Sequence, residues 1–307
     1  MDIYYVESPG QIINAAESIY ARRGDYKIII RYNNSHYNDS QIKNVIDFYI
    51  KNTCLLDESA IYSFTTGLGF FKIISSVFMS QISPKIFIGC HKSKYTKLLK
   101  ALRVNLTLMD DGIATLVHLK EVGKDNLISC ILNRNYIFPL YTFLSVSDGR
   151  SMIYNDFSLL KSLFEKRDST GVVFFGAKYV EIGLIEKNNY LTLLSSVLNF
   201  FKGDHVTYIP HREESDENLK EYSMLGYSIK RLSNPSEIAL VKNEICPLKV
   251  AGFYSASILT SILIDDSLDA YSFKIPGDYI DQEVSNRLSD IYKYFEKYVH
   301  VVDTAKI

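Results

Sequence analysis

Short apolar runs alternate with longer amphipathic ones along most of the chain. "DIYYVE" precedes "SPGQIINAAESIYARR", and "YKIIIRY" precedes "DSQIKNVIDFYIKN". "AIYSFT" precedes "GLGFFKIISSVF", "KIFIGC" precedes "KSKYTKLLKAL", and "NLTLMD" precedes "GIATLVHLKEV". In the second pair Ile42, Val45, Ile46 and Tyr49 fall on one helical face. Ser8 followed by Pro9 marks the start of the first helix, a hydroxyl cap before a residue already set to a helical φ. Five strand-helix units in succession predict a doubly wound parallel sheet.

From about Asn126 to Asp168 the rhythm is lost, and aromatic and turn-forming residues ("NRNYIFPLYTFLSVSDGRS") read as irregular connecting structure. It then resumes with "GVVFFG", "HVTYIP", "YSIKRL" and "LKVAGF", each followed by a helical segment, and closes on "DAYSFKI". A second parallel sheet follows from the same argument. The expected division is a first Rossmann-like domain over 1–155 and a second over 156–281. After that, Val284, Leu288, Ile291, Phe295 and Val299 form a helical stripe that needs a surface to cover, and a return of 282–307 onto the first domain would supply one. Tandem sheets of this kind bind ligands beyond the carboxyl ends of their strands, so chemistry-bearing residues are expected just after strands.

Composition narrows the function. At 307 residues two cores are the default, and 47% hydrophobic with 22% charged residues is the balance of a globular chain. A net charge of -1 argues against nucleic acid as the main partner. The four cysteines lie far apart with no C-x-x-C pair, which reads as reduced core residues. No secretory signal and no clean apolar span of about 18 residues is visible, so a cytoplasmic location is expected. Lys92, Lys94, Lys97 and Lys100 form a basic cluster able to touch an anionic glycan or a lipid surface such as the cytoplasmic face of a membrane; a solvated helix face is the simpler reading.

Four post-strand segments stand out. "LTLMDDGIATLVH" sets Asp110 and Asp111 side by side at a strand end, where like charges make ionising both costly, and Gly112 follows. A helix cap accounts for one such carboxylate. "YIPHREES" puts Pro210 and His211 after a strand, and most lone histidines in that position pack or cap. "SNPSEIAL" offers Asn234 or Ser236 as a cap for a helix with Glu237 in its first turn. "AGFYSASILTS" is a small-residue turn with Ser255 and Ser257 near a helix start, which suits an anion as well as it suits an ordinary cap.

Taken in order, "MDDG", "YIPHRE", "NPSEIAL" and "GFYSAS" resemble the motifs of the bacterial sialyltransferases of GT-B type, the lipooligosaccharide sialyltransferase and polysialyltransferase group. Two differences stand: the proline precedes the histidine here, and the paired hydroxyls are split as "SAS". The resemblance implies an α/β fold of two Rossmann-like domains facing a central cleft. It implies inverting transfer of sialic acid, or a related nonulosonic acid, from a CMP-sugar to a bacterial surface glycan such as capsule or lipopolysaccharide. In that scheme Asp110 is the general base, Asp111 sets its geometry and raises its pKa, and His211 stabilises the departing phosphate. Ser255 and Ser257 assist at the phosphate, Glu237 accepts from the ribose hydroxyls, Pro210 ends the strand beside the nucleotide, and Gly176 lets the backbone approach it. No cofactor and no metal are expected, since the donor carries one phosphate and the sequence has no D-x-D triplet. The partners are then the CMP-sugar and the glycan acceptor. A nucleotide-sugar epimerase and a non-enzymatic two-domain binder are the competing classes.

Overall fold

The computed structural model describes residues 1–67, 69–71, 75, 84–89, 93, 95, 98–99, 105–110, 112–113, 115–116, 138–145 and 151–307. Asp111, the four clustered lysines and most of the segments that follow the third, fourth and fifth strands lie outside them. The chain forms two compact units, Met1–Ser162 and Leu163–Ile307.

The first unit carries β1 (Asp2–Val6), α1 (Pro9–Arg22), β2 (Tyr26–Arg31), α2 (His36–Thr53), β3 (Ile61–Phe64), β4 (Lys85–Ile88), β5 (Asn105–Met109), β6 (Leu140–Thr142) and β7 (Met152–Tyr154). All seven strands pair in parallel in the order β3-β2-β1-β4-β5-β6-β7. Apolar residues cover both faces of the central strands, the pattern a parallel sheet requires. On one face Ile3, Tyr5, Ile29, Ile86, Ile88 and Leu106 pack with Phe64, Phe70 and Tyr95. On the other, Tyr4 stacks on Phe87 with ring centroids 4.7 Å apart and reaches Ser18 of α1 through its hydroxyl (2.9 Å). Ser8 caps α1 as its sequence predicts, accepting from the Gln11 N–H, with Pro9 at the first helical position.

Two of these strands correct the sequence reading. β6 and β7 lie in the stretch expected to be irregular. Each has only three residues, too short to show either a run or an alternation.

The chain passes from one unit to the next within α3 (Ser158–Leu163). The second unit holds β8 (Val172–Phe175), α4 (Lys187–Phe200), β9 (Val206–Ile209), α5 (Asp216–Leu225), β10 (Ser228–Ile229), α6 (Ser236–Val241), β11 (Lys249–Gly252), α7 (Ala256–Ile264), β12 (Asp269–Lys274), α8 (Gln282–Phe295) and β13 (His300–Asp303). Its six parallel strands run β10-β9-β8-β11-β12-β13. Chain order reverses between β8 and β11, which makes their carboxyl ends the topological switch point. The core is aromatic: Phe174 packs against Tyr208, Phe253 and Tyr227 at centroid distances of 5.6, 5.5 and 6.0 Å.

The segment from 282 onward builds α8 and β13 into this unit's own layers. The Tyr292 hydroxyl accepts from the Ile275 N–H (3.0 Å), and β13 pairs with β12 as a strand that the sequence analysis missed. "DAYSFKI" is therefore not the last strand.

Candidate active site

Asp110 follows β5 directly and is 1% exposed. Its Oδ1 accepts from the Thr142 hydroxyl and its Oδ2 from the Phe143 N–H, each at 2.7 Å. Thr142 ends β6 and its hydroxyl in turn accepts from the Leu144 N–H (2.9 Å). These bonds run to the adjacent strand end and fix the plane of the carboxylate. Gly112 has φ 63°, a left-handed conformation that glycine adopts without strain.

Behind Asp110 lies a polar chain that the sequence did not announce. Asn14 of α1 donates to the Asp110 carbonyl (3.3 Å), and Asn155 donates to Asn14 Oδ1 (2.9 Å). One helical turn along α1, Glu17 accepts from the Leu159 and Leu160 N–H groups, both at 2.9 Å, and so caps α3 from across the fold. The partners are separated by up to 143 residues, and no local pattern links them.

Burial pushes the Glu17 carboxyl up to about 7, against the pull of the two N–H bonds and with help from the charge of Asp156. The native state thus holds a proton that the unfolded chain loses near 4.5. Stability from this group is complete below that value and is lost as pH rises through 7. Between pH 4.5 and 8 the unfolding free energy of wild type should fall relative to that of Glu17→Gln by on the order of 3 kcal/mol. Urea unfolding of both proteins across that range checks it; parallel curves would mean that Glu17 is ionised throughout.

In the second unit Gly176, His211 and Ser255 stand just beyond β8, β9 and β11, three neighbours in the sheet on either side of its switch point. Pro210 directly follows β9, whose last residue, Ile209, accepts the Gly176 N–H through its carbonyl (2.9 Å). A Cβ on Gly176 would lie 2.3 Å from the Tyr208 hydroxyl, so what the glycine admits here is a buried tyrosine.

His211 is half-buried, and its Nδ1 accepts from the Glu213 N–H (3.2 Å). That bond places the proton of the neutral ring on Nε2. Burial, followed by the positive charges of Arg212 and Lys178, pushes the imidazole down to about 4 in spite of Glu213 and Glu181. At neutral pH His211 is an uncharged N–H donor.

Ser255 caps α7, accepting from the Ser257 N–H (3.3 Å). The Ser257 and Ser236 hydroxyls are 2.8 Å apart, and Ser236 Oγ is 3.2 Å from Glu237 Oε2. A single proton on Ser236 cannot serve both, and the shorter contact, with Ser236 donating to Ser257, takes it; the Ser257 proton is left for another acceptor. Glu237 Oε1 accepts from Thr260 (2.7 Å), a residue not singled out from the sequence. The structure therefore gathers Glu237, Ser257 and the Ser255 cap into one hydroxyl-rich corner between α6 and α7. Neither Asn234 nor Ser236 caps α6: Pro235 occupies that position, and Asn234 turns to Glu244. Ser236 is the first helical residue and not the cap, and its hydroxyl faces Ser257.

Among the described residues no group of three or more His, Cys, Asp or Glu side chains is placed to hold a metal ion, and no helix is long and apolar enough to cross a membrane.

No family model and no curated protein matches the chain. Solved structures do match in fold. The α/β-galactoside α-2,3-sialyltransferase of the luminous marine bacterium Photobacterium phosphoreum is 12% identical, with a TM-score of 0.58 and 99% of each chain covered. A Photobacterium 2,6-sialyltransferase, solved with the donor product CMP and the acceptor lactose, is 12% identical with a TM-score of 0.56, covering 99% of this chain and 78% of that one. The UDP-GlcNAc 2-epimerase of Methanocaldococcus jannaschii, solved with UDP-GlcNAc and UDP, is 10% identical with a TM-score of 0.52, covering 89% of this chain and 83% of that one. The architecture is that of the GT-B enzymes, which glycosyltransferases and these epimerases share.

Proposed function

We propose that this chain is an inverting, metal-independent glycosyltransferase that moves sialic acid, or a related nonulosonic acid, from a CMP-activated donor to a bacterial surface glycan. The observation that carries the reading is the placement of His211 and the Ser255 cap around the switch point of the second sheet, where a parallel α/β sheet takes its ligand. Glu237 stands in the same corner through Ser257 and Ser236.

Each group has a chemical part in that reaction. The neutral His211 offers Nε2–H to the phosphate oxygen on which charge develops as the glycosidic bond breaks. The bond from Nε2–H strengthens as negative charge develops on the phosphate oxygen. The Ser257 hydroxyl and the Ala256 N–H at the start of α7 would take the remaining phosphate oxygens. The Glu237 carboxylate, held on one side by Thr260, keeps acceptor capacity for a vicinal diol such as that of ribose. Asp110 takes the proton of the attacking acceptor hydroxyl, and Asp111 is the neighbour that modulates it.

The decisive experiment is incubation of purified protein with CMP-sialic acid, and with other CMP-nonulosonic acids, while released CMP is measured. Release that persists in EDTA is the expected result. An epimerase or a simple binder releases none. Glu237→Ala should raise KM for the donor at least about tenfold with a smaller change in kcat, the pattern for a contact made equally in ground and transition states. Calorimetry with CMP tests it directly, and unchanged affinity would move the ribose elsewhere.

A further inference from the structure

Glu214 follows His211 by three residues in a run of exposed polar side chains, yet it is 3% exposed. Its Oε1 accepts from the His211 N–H (2.6 Å), and its own N–H donates to the His211 carbonyl (3.0 Å). The turn is thus closed from both sides by one residue. On the far side of the carboxyl group, Oε2 accepts from the Tyr208 hydroxyl (2.7 Å), which lies 2.9 Å from the Tyr190 hydroxyl. Both tyrosines are fully buried. The Tyr208 hydroxyl occupies the space that a Cβ on Gly176 would fill. Arg231 adds a bond from its guanidinium to the Glu214 carbonyl (2.8 Å).

Burying a carboxyl group is costly unless every oxygen finds a partner, and a solvated glutamate would cap or solubilise this turn as well as a buried one. What burial adds is rigidity, since the His211 backbone is tied to two tyrosines of the core instead of to water. We propose that Glu214 is a positioning residue for His211. Its carboxyl group, seated on Tyr208 and Tyr190 in the room left by Gly176, fixes the turn that carries the imidazole and keeps Nδ1 on the Glu213 N–H. The inference rests on the reading of His211 as the group that faces the donor phosphate.

The test measures CMP release by Glu214→Ala, Glu214→Gln and Tyr208→Phe, each alone and combined with His211→Ala. Glu214→Ala should lower kcat about tenfold or more with little change in donor KM, and add nothing once His211 is gone. Glu214→Gln, which keeps an acceptor for the His211 N–H, should restore most of the rate. Tyr208→Phe removes a single hydroxyl and should lower kcat in the same His211-dependent way, so a Glu214→Ala protein that failed to fold would leave the idea open to refutation. Equal losses with and without His211 would overturn it. If the wild-type protein releases CMP from no CMP-sugar, the functional reading fails, and the positioning claim is decided by 15N spectra of the His211 ring. These should show Nε2–H with unprotonated Nδ1 in wild type and Glu214→Gln, and a mixture of tautomers in Tyr208→Phe and Glu214→Ala. Identical ring signals in all four proteins would end the proposal.

Discussion

Asp110→Asn should slow transfer to the acceptor by about a hundredfold or more, the scale of losing general-base assistance, with fold and CMP affinity retained. Retention of the fold follows from the bonds around the side chain. An asparagine carbonyl can accept from the Phe143 N–H as Oδ2 does, and its amide can donate to the Thr142 hydroxyl, where Oδ1 now accepts. The geometry survives and the basicity does not. Asp110→Ala is a different experiment, because it strands Thr142 and Phe143 without a buried partner and should cost about 1–3 kcal/mol of stability besides activity. Initial rates of glycan transfer, set beside thermal unfolding of the two variants, separate chemistry from structure. Wild-type rates in Asp110→Asn would exclude the carboxylate as the base. Loss confined to Asp111→Asn would transfer the role to that neighbour.

His211→Ala should lower kcat about 100- to 1,000-fold, or roughly 2.7–4 kcal/mol, the range for deleting one preorganised donor to a developing oxyanion. CMP affinity should change less, because the uncharged ring contributes a single neutral hydrogen bond to the ground state. The low resting value of about 4 adds a second, independent signature. A profile of kcat/KM against pH reports the free enzyme, so it should show no limb near the ordinary imidazole value of about 6.5. A limb there that vanished in His211→Ala would show that the reaction needs a charged ring, and the assignment of His211 as a neutral donor would be wrong.

The alternation of apolar runs with amphipathic segments was enough to read two parallel sheets, because each central strand is buried on both faces and shows it over four to six residues. Three-residue strands carry no such signal. β6 and β7 were therefore invisible, and β6 is the one that supplies Thr142 to Asp110. The candidate residues that could be read were those whose position after a strand is itself a pattern: Asp110, His211, Ser255. Their supports could not be read. Asn14, Asn155, Glu17 and Thr260 support the candidate residues or their neighbours through contacts between distant segments, and each looks locally ordinary. Glu214 shows the limit most clearly. In "HREESDEN" it is one acid among several, and only the fold distinguishes it from Glu213, which pairs with Lys178 at the surface. The reading of Ser236 as a cap failed for a related reason, since the cap is Pro235 and the hydroxyl faces another helix.

The grip of Glu17 on α3 also bears on how the chain acquires its structure in time. Its partners lie 142 and 143 residues downstream, and the Asn14 to Asn155 bond spans 141. Contacts of such long separation come at a high loop-closure cost and belong to slow folding. During synthesis at roughly 5–20 residues per second, the first sheet can begin to pair early, but α1 waits about 7–30 seconds for its polar partners at residues 155–160 to emerge. Those residues lie at the end of the first unit, so its closure coincides with the arrival of the segment that leads into the second. The polar contacts of α1 are thus completed only as the first unit's own translation ends.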